Sequence, residues 1–199
     1  MVKSIKILVF LVALSSSIIA QNKGDKDEFR NDGYFNITRI GVTNVNKAEL
    51  ETFSPSEGVI NRNITSNNSI AYSLQTINGF FFNPYFSIGF GIGLDGYHNP
   101  NYNTLPAFLD LRAYFSDGKG SPYVFINYGT LIKIENGTNN GNMANLGFGY
   151  KIPLNNKRFI IVADLSYSYK AISNDGLSIR RSESYTMLKG TFFSLGVIF

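Results

Sequence analysis

Thr186 to Phe199 reads T-M-L-K-G-T-F-F-S-L-G-V-I-F and ends on an aromatic residue. Counted back in twos, Phe199, Val197, Leu195 and Phe193 share one face, while Ile198, Gly196, Ser194 and Phe192 share the other. This is the alternation of a β-strand with one strongly apolar face. A soluble sandwich also produces such a strand, so the surrounding chain has to decide the solvent.

The same pattern recurs upstream. From Ser69 to about Phe81, Ile70, Tyr72, Leu74 and Thr76 oppose Ala71, Ser73, Gln75 and Ile77. After a turn at Asn83-Pro84, Phe86, Ile88, Phe90, Ile92 and Leu94 oppose Ser87, Gly89, Gly91, Gly93 and Asp95. Three more segments, Leu105 to Phe115, Pro122 to Ile134 and the one carrying Ala144 to Ile152, repeat the division, as does the segment from Phe159 to Lys170. Tyr34 to Thr43, Y-F-N-I-T-R-I-G-V-T, supplies a first strand whose facing stays open, because either choice turns a polar residue outward. The strands number eight, counting the terminal one.

Charge sorting decides the solvent. Asp110, Arg112, Lys133, Lys151, Asp164 and Lys170 all fall opposite the bulky apolar groups, alongside most of the strand glycines. A soluble barrel puts its apolar face inside. A bilayer inverts this, since Arg or Lys on the lipid face costs about 2 to 4 kcal/mol at mid-depth. Connections alternate as well: short at Asn83, Ser116 and Pro153, equal or longer at Asn44 to Asn68, Gly96 to Thr104, Glu135 to Gly141 and Ser173 to Tyr185. Short periplasmic turns, longer outer loops and an even strand number are the asymmetry of outer-membrane barrels. Phe80, Phe86, Phe115, Tyr150, Phe159 and Phe199 gather near the short turns, and Tyr72, Tyr128, Tyr167 and Tyr169 near the loops, giving two interfacial girdles. The reading is all-β: an eight-stranded antiparallel up-and-down transmembrane β-barrel in the cell outer membrane.

The N-terminus fits export. Lys3 and Lys6 precede an apolar run from Ile7 to Leu14 and small residues up to Ala20, so residues 1–20 read as a cleaved signal peptide. The run is too short for a helical span of about 20 residues. Residues 21–33 are a polar periplasmic lead-in and residues 34–199 the barrel domain. Two of the basic residues leave with the signal, which halves the net +4 charge and leaves no footprint for nucleic acid. The absence of cysteine excludes disulfides and thiolate chemistry, and the single histidine, His98, excludes histidine-cluster metal sites.

Ser73 to Tyr97, S-L-Q-T-I-N-G-F-F-F-N-P-Y-F-S-I-G-F-G-I-G-L-D-G-Y, together with L-P-A-F-L-D-L-R-A-Y-F from Leu105, P-Y-V-F-I-N-Y-G from Pro122 and the terminal Phe199, resembles the outer-membrane β-barrel proteins of Bacteroidetes-type Gram-negative bacteria. It is more distantly similar to the small OmpA/OmpX-type barrels. The resemblance implies insertion by the barrel-assembly machinery, which reads a C-terminal strand ending in an aromatic such as Phe199. It implies no activity, because these barrels host structural proteins, adhesins, enzymes and channels.

Few residues offer chemistry. G-F-G-I-G at Gly89–Gly93 lies in mid-strand and opens no helix, so it is not a phosphate loop. Asp110, Arg112, Lys151 and Asp164 read as a satisfied interior ion-pair network rather than an ion path, since eight strands enclose little more than their own side chains. His98 with Asp95 is the candidate base of a lipid-modifying hydrolase, without a triad signature. Asn63-Ile-Thr65 and Asn136-Gly-Thr138 match a glycosylation sequon that carries little weight in a bacterial chain. The expectation is a monomeric, cofactor-free, non-catalytic barrel bathed in outer-membrane lipid and lipopolysaccharide. Its role is structural or adhesive through loops 44–68 and 173–185, the second carrying Arg180-Arg181. A lipid A-modifying enzyme and a soluble lipocalin-like carrier are the alternatives.

Overall fold

A computed structural model describes residues 31–54, 56, 58–64, 69–98, 102–117, 120–133, 140–154, 160–173 and 184–199. The expected signal peptide, most of the lead-in, Phe159, Arg180-Arg181, Thr65 of the first sequon and all of the second lie outside these residues, as does the side chain of Lys133. Among the described residues nine strands make one antiparallel sheet: β1 (Gly33–Ser54), β2 (Gly58–Ile64), β3 (Ile70–Asn83), β4 (Phe86–His98), β5 (Tyr102–Tyr114), β6 (Ser121–Lys133), β7 (Asn140–Pro153), β8 (Ile160–Ser173) and β9 (Ser184–Ile198). Neighbours in sequence pair from β3 to β9. β1 bonds to β3 on one side and β9 on the other, which closes eight staves into an up-and-down barrel. Asn36 and Phe199 exchange two backbone hydrogen bonds, 2.9 and 3.0 Å, so the final aromatic is locked into that seam.

β1 differs from expectation. It runs 22 residues, against 13 to 15 in the other staves. Its upper part, Ala48 to Ser54, pairs with β2, which stacks end to end above β3. Asn44 to Asn68, expected as a loop, is therefore strand to Ser54 and again from Gly58 to Ile64. Two physical causes hid it. The register against β9 slips between Val45 and Lys47, so Arg39, Thr43 and Val45 face in below the slip and Ala48 above it. Beyond the bilayer the outer face of a strand meets water rather than lipid, so it needs no bulky apolar residue at every second position. The connection expected at Gly96 to Thr104 is also shorter, since β4 continues to His98 and β5 begins at Tyr102.

Polarity is inside-out. Leu146 and Phe148 are 63% and 61% exposed on the outer wall, while Asp110 and Arg112 are 0% and 2% exposed within. The soluble-carrier alternative fails here, because such a carrier needs an apolar cavity and a polar exterior.

The short-turn end is compact. Pro84 and Tyr85 join β3 to β4, and the Asn83 carboxamide oxygen accepts from the backbone N–H of Tyr85 (2.8 Å) and Phe86 (3.0 Å). Asx bonding of this kind fixes a tight turn. Inside this end, tilted aromatic contacts link Phe35 to Phe81 (4.8 Å), Phe81 to Tyr114 (5.4 Å), Tyr114 to Tyr123 (5.1 Å) and Tyr123 to Phe125 (6.2 Å). These rings form an apolar floor in the lumen.

Candidate functional site

The lumen holds three polar tiers. Lowest is Lys151, which donates to Asn31 Oδ1 and lies 5.4 Å from the Tyr114 ring centre. Asn31 in turn donates to Pro84 O at 2.7 Å, tying the segment before β1 beneath the barrel.

The middle tier crosses the barrel. Arg39 Nη1 bonds Asp164 Oδ2 at 2.8 Å, its Nε bonds Gln75 at 2.9 Å and its Nη2 bonds Asn127 at 3.0 Å. Arg112 grips Asp110 through two bonds, 2.7 and 3.2 Å, and approaches Asp164 to 3.9 Å. Asn127 donates to Asp110 at 2.6 Å, while Tyr123 and Ser194 both donate to Asp164. The Arg39 guanidinium is ringed by Phe108, Phe125 and Phe192 at 5.5 to 5.9 Å. Side chains from β1, β3, β5, β6, β8 and β9 thus meet in one hydrogen-bonded knot. Such charges persist in a dry interior only when paired and bonded.

The upper tier centres on Asp95. It accepts from Lys170 (2.6 Å), Ser73 (2.6 Å) and Thr104 (3.5 Å), with Lys170 5.1 Å from the Tyr97 ring centre. Above this the β1–β2 hairpin is pinned to β9 by Glu49, which meets Lys189 at 2.7 Å and Lys47 at 2.5 Å. Those hydrogen bonds, Lys189 first, hold the Glu49 carboxyl below its ordinary range.

Of the residues singled out in the sequence, Asp110, Arg112 and Asp164 share the middle knot, whereas Lys151 and Lys170 sit in separate tiers. Arg39, Gln75, Asn127 and Tyr123 complete the knot and were missed. A usable signal existed for Arg39. Requiring charge to avoid lipid puts Arg39 inward and Ile40 and Val42 outward, which settles the facing of the first strand. Asp95 and His98 lie on opposite faces of β4, Asp95 buried and His98 exposed, so they cannot work as a base pair. Among the described residues no cluster of three His, Cys, Asp or Glu side chains could hold a metal.

The knot leaves no spare volume. A Cβ on Gly149 would lie 2.4 Å from Asp164 Oδ1 and 2.5 Å from the Tyr123 ring. Gly149→Ala is therefore expected to lower stability by about 1–3 kcal/mol, the range for overpacking, read as a lower urea midpoint in vesicles. An unchanged midpoint would mean the knot yields.

No protein-family model matches the chain, and neither does any curated protein. Among solved structures it is similar to the outer membrane protein AlkL, determined in lipid bilayers, with a TM-score of 0.51 and 15% identity over 91% of this chain and 96% of that one. Neisserial surface protein A is matched with a TM-score of 0.45 and 15% identity over 84% of this chain and 98% of that one. Ail, the attachment invasion locus protein of Yersinia pestis, is matched with a TM-score of 0.39 and 11% identity over 84% and 99%. At such identities a likeness speaks to fold, and the fold is that of a small outer-membrane barrel, as the apolar exterior independently requires.

Proposed function

We propose that this outer-membrane barrel is a non-catalytic monomer, closed to solutes, that acts through its outer end as a structural or adhesive protein. The observation carrying the reading is a contrast along the axis. The lumen is cross-linked by the fully buried Arg39–Asp164 and Arg112–Asp110 pairs, while the sheet continues above as the β1–β2 hairpin with Val59, Asn61, Arg62 and Asn63 exposed. A filled eight-stranded lumen does not pass solutes. An exposed strand pair offers side chains and a backbone edge to a partner.

Planar-bilayer recordings and adhesion assays test this together. Purified barrel is expected to give flat single-channel traces. Cells expressing a variant with residues 47–66 replaced by a short turn are expected to lose adhesion to protein-coated surfaces while the barrel keeps heat-modifiable migration. Unitary conductance steps, or adhesion unchanged by the truncation, would overturn the reading.

A further inference from the structure

The outer wall is apolar almost everywhere, but the β1–β3 pair breaks the rule. Its lipid-facing positions carry Tyr34, Asn36 and Thr38 on β1 opposite Phe80, Asn78 and Thr76 on β3. The polar groups bond to one another. Asn36 Nδ2 donates to Asn78 Oδ1 (2.8 Å) and Thr76 Oγ1 (3.1 Å), Thr38 donates to Asn36 Oδ1 (3.2 Å), and Tyr34 OH donates to Asn78 Oδ1 (2.5 Å). Asn36 is buried by this arrangement, but Asn78 is exposed. Both lone pairs of Asn78 Oδ1 are taken, and its Nδ2 has no acceptor among the described residues.

An amide donor facing hydrocarbon needs an acceptor. At about 3.3 Å per residue along strands tilted about 40°, Asn78 lies about 5 Å deeper than Tyr34 and Phe80 of the short-turn girdle. With the girdle rings at headgroup level and a headgroup zone about 5–7 Å thick, that puts Asn78 at the edge of the hydrocarbon, within reach of the ester carbonyls of the periplasm-facing leaflet. Two outward positions further up, about 10 Å above Asn78, the wall turns concave. Ile40, Val42, Leu74, Leu94, Gly96 and Leu195 line a groove of about 480 Å³, flanked by Tyr72 and Phe193. The groove exists because Gly96 is an outward position without a side chain, opposite Tyr72 in the register.

We infer that this sector is a binding site for one glycerophospholipid of the periplasm-facing leaflet. Asn78 Nδ2 donates to an ester carbonyl, and the acyl chain runs past the mutually bonded Thr38 and Thr76 into the groove. A second copy fits less well. With the Asn78 oxygen saturated, two-fold contact cannot pair Asn78 reciprocally, and a concave groove does not complement itself. The inference requires only membrane insertion and is independent of the adhesive role.

The test reconstitutes the barrel in phosphatidylethanolamine–phosphatidylglycerol vesicles doped with phosphatidylethanolamine bearing a photoactivatable acyl terminus, and maps the labelled residues. Labelling of Ile40, Leu74 and Leu94 is expected to exceed that of Leu146 and Phe148 on the opposite wall by about tenfold, what one hydrogen bond made in hydrocarbon supports. Asn78→Leu should even out the labelling by removing the donor. Gly96→Leu should do so by filling the groove, and its Cβ meets only Asn103 Oδ1 at 3.6 Å, so this variant folds even if the other does not. Uniform labelling in the wild type, a pattern indifferent to both substitutions, or barrel-to-barrel crosslinks through this face would overturn the assignment.

Discussion

Arg39→Leu is expected to lower the unfolding free energy by about 3–5 kcal/mol, the cost of breaking a buried ion pair from one side. The loss is large because Arg39 serves several partners at once. Without it Asp164 keeps only Tyr123, Ser194 and an Arg112 nitrogen at 3.9 Å, while Gln75 Oε1 and Asn127 Oδ1 lose their donor. Each is buried, so none recovers its bond from bulk water. Urea titration of the vesicle-inserted barrel, followed by tyrosine fluorescence and heat-modifiable migration, measures the loss. The double substitution Arg39→Met with Asp164→Leu should recover much of it, because removing both charges leaves neither one stranded. A single-variant loss well under 1 kcal/mol would show that water reaches the knot, and a double variant no better than the single would place the energy in packing rather than charge.

How much of this was legible in the sequence depends on what lipid imposes. Where a stave crosses the hydrocarbon, its outer face must be apolar at every second residue, and Phe86 to Leu94 or Ala144 to Ile152 can be read directly. Closure, strand direction and the inward set Asp110, Arg112, Lys151, Asp164 and Lys170 follow from that one constraint. It fails in two places. Above the bilayer the outer face of β1 meets water, so Lys47, Glu49 and Glu51 stand where a membrane-crossing stave needs bulky apolar groups, and the segment resembles a loop although Ala48 faces in. On the β1–β3 wall, Asn36, Thr38, Thr76 and the Asn78 oxygen satisfy one another across the strand pair, so the outward face is polar with only the Asn78 amide donor left over. That satisfaction depends on cross-strand register, which one strand's sequence does not contain. The same holds for the knot. Parity points Asp164 inward, but only the closed barrel brings Arg39 to it from 125 positions away.

Leu146→Arg is expected to cost about 2–4 kcal/mol, the penalty for arginine at mid-depth on the lipid face of a barrel. Leu146 lies near the middle of β7, faces outward and sits across from Ile126 on β6 and Tyr167 on β8. In water a residue so exposed would accept arginine within about 0.5 kcal/mol, since nothing buried is lost. In hydrocarbon the guanidinium must snorkel past Phe148 or Ala144 or carry water in with it. The same exchange at Asn142, outward on β7 near its outer end, should cost only about 0–1 kcal/mol because the interface supplies water. Unfolding midpoints of the two variants in one vesicle preparation therefore report a depth gradient rather than a single cost. Equal, negligible effects at both sites would mean that this wall faces water. The polar interior would then have no cause, because it is the solvent outside Leu146 that obliges Arg39 and Asp164 to meet within.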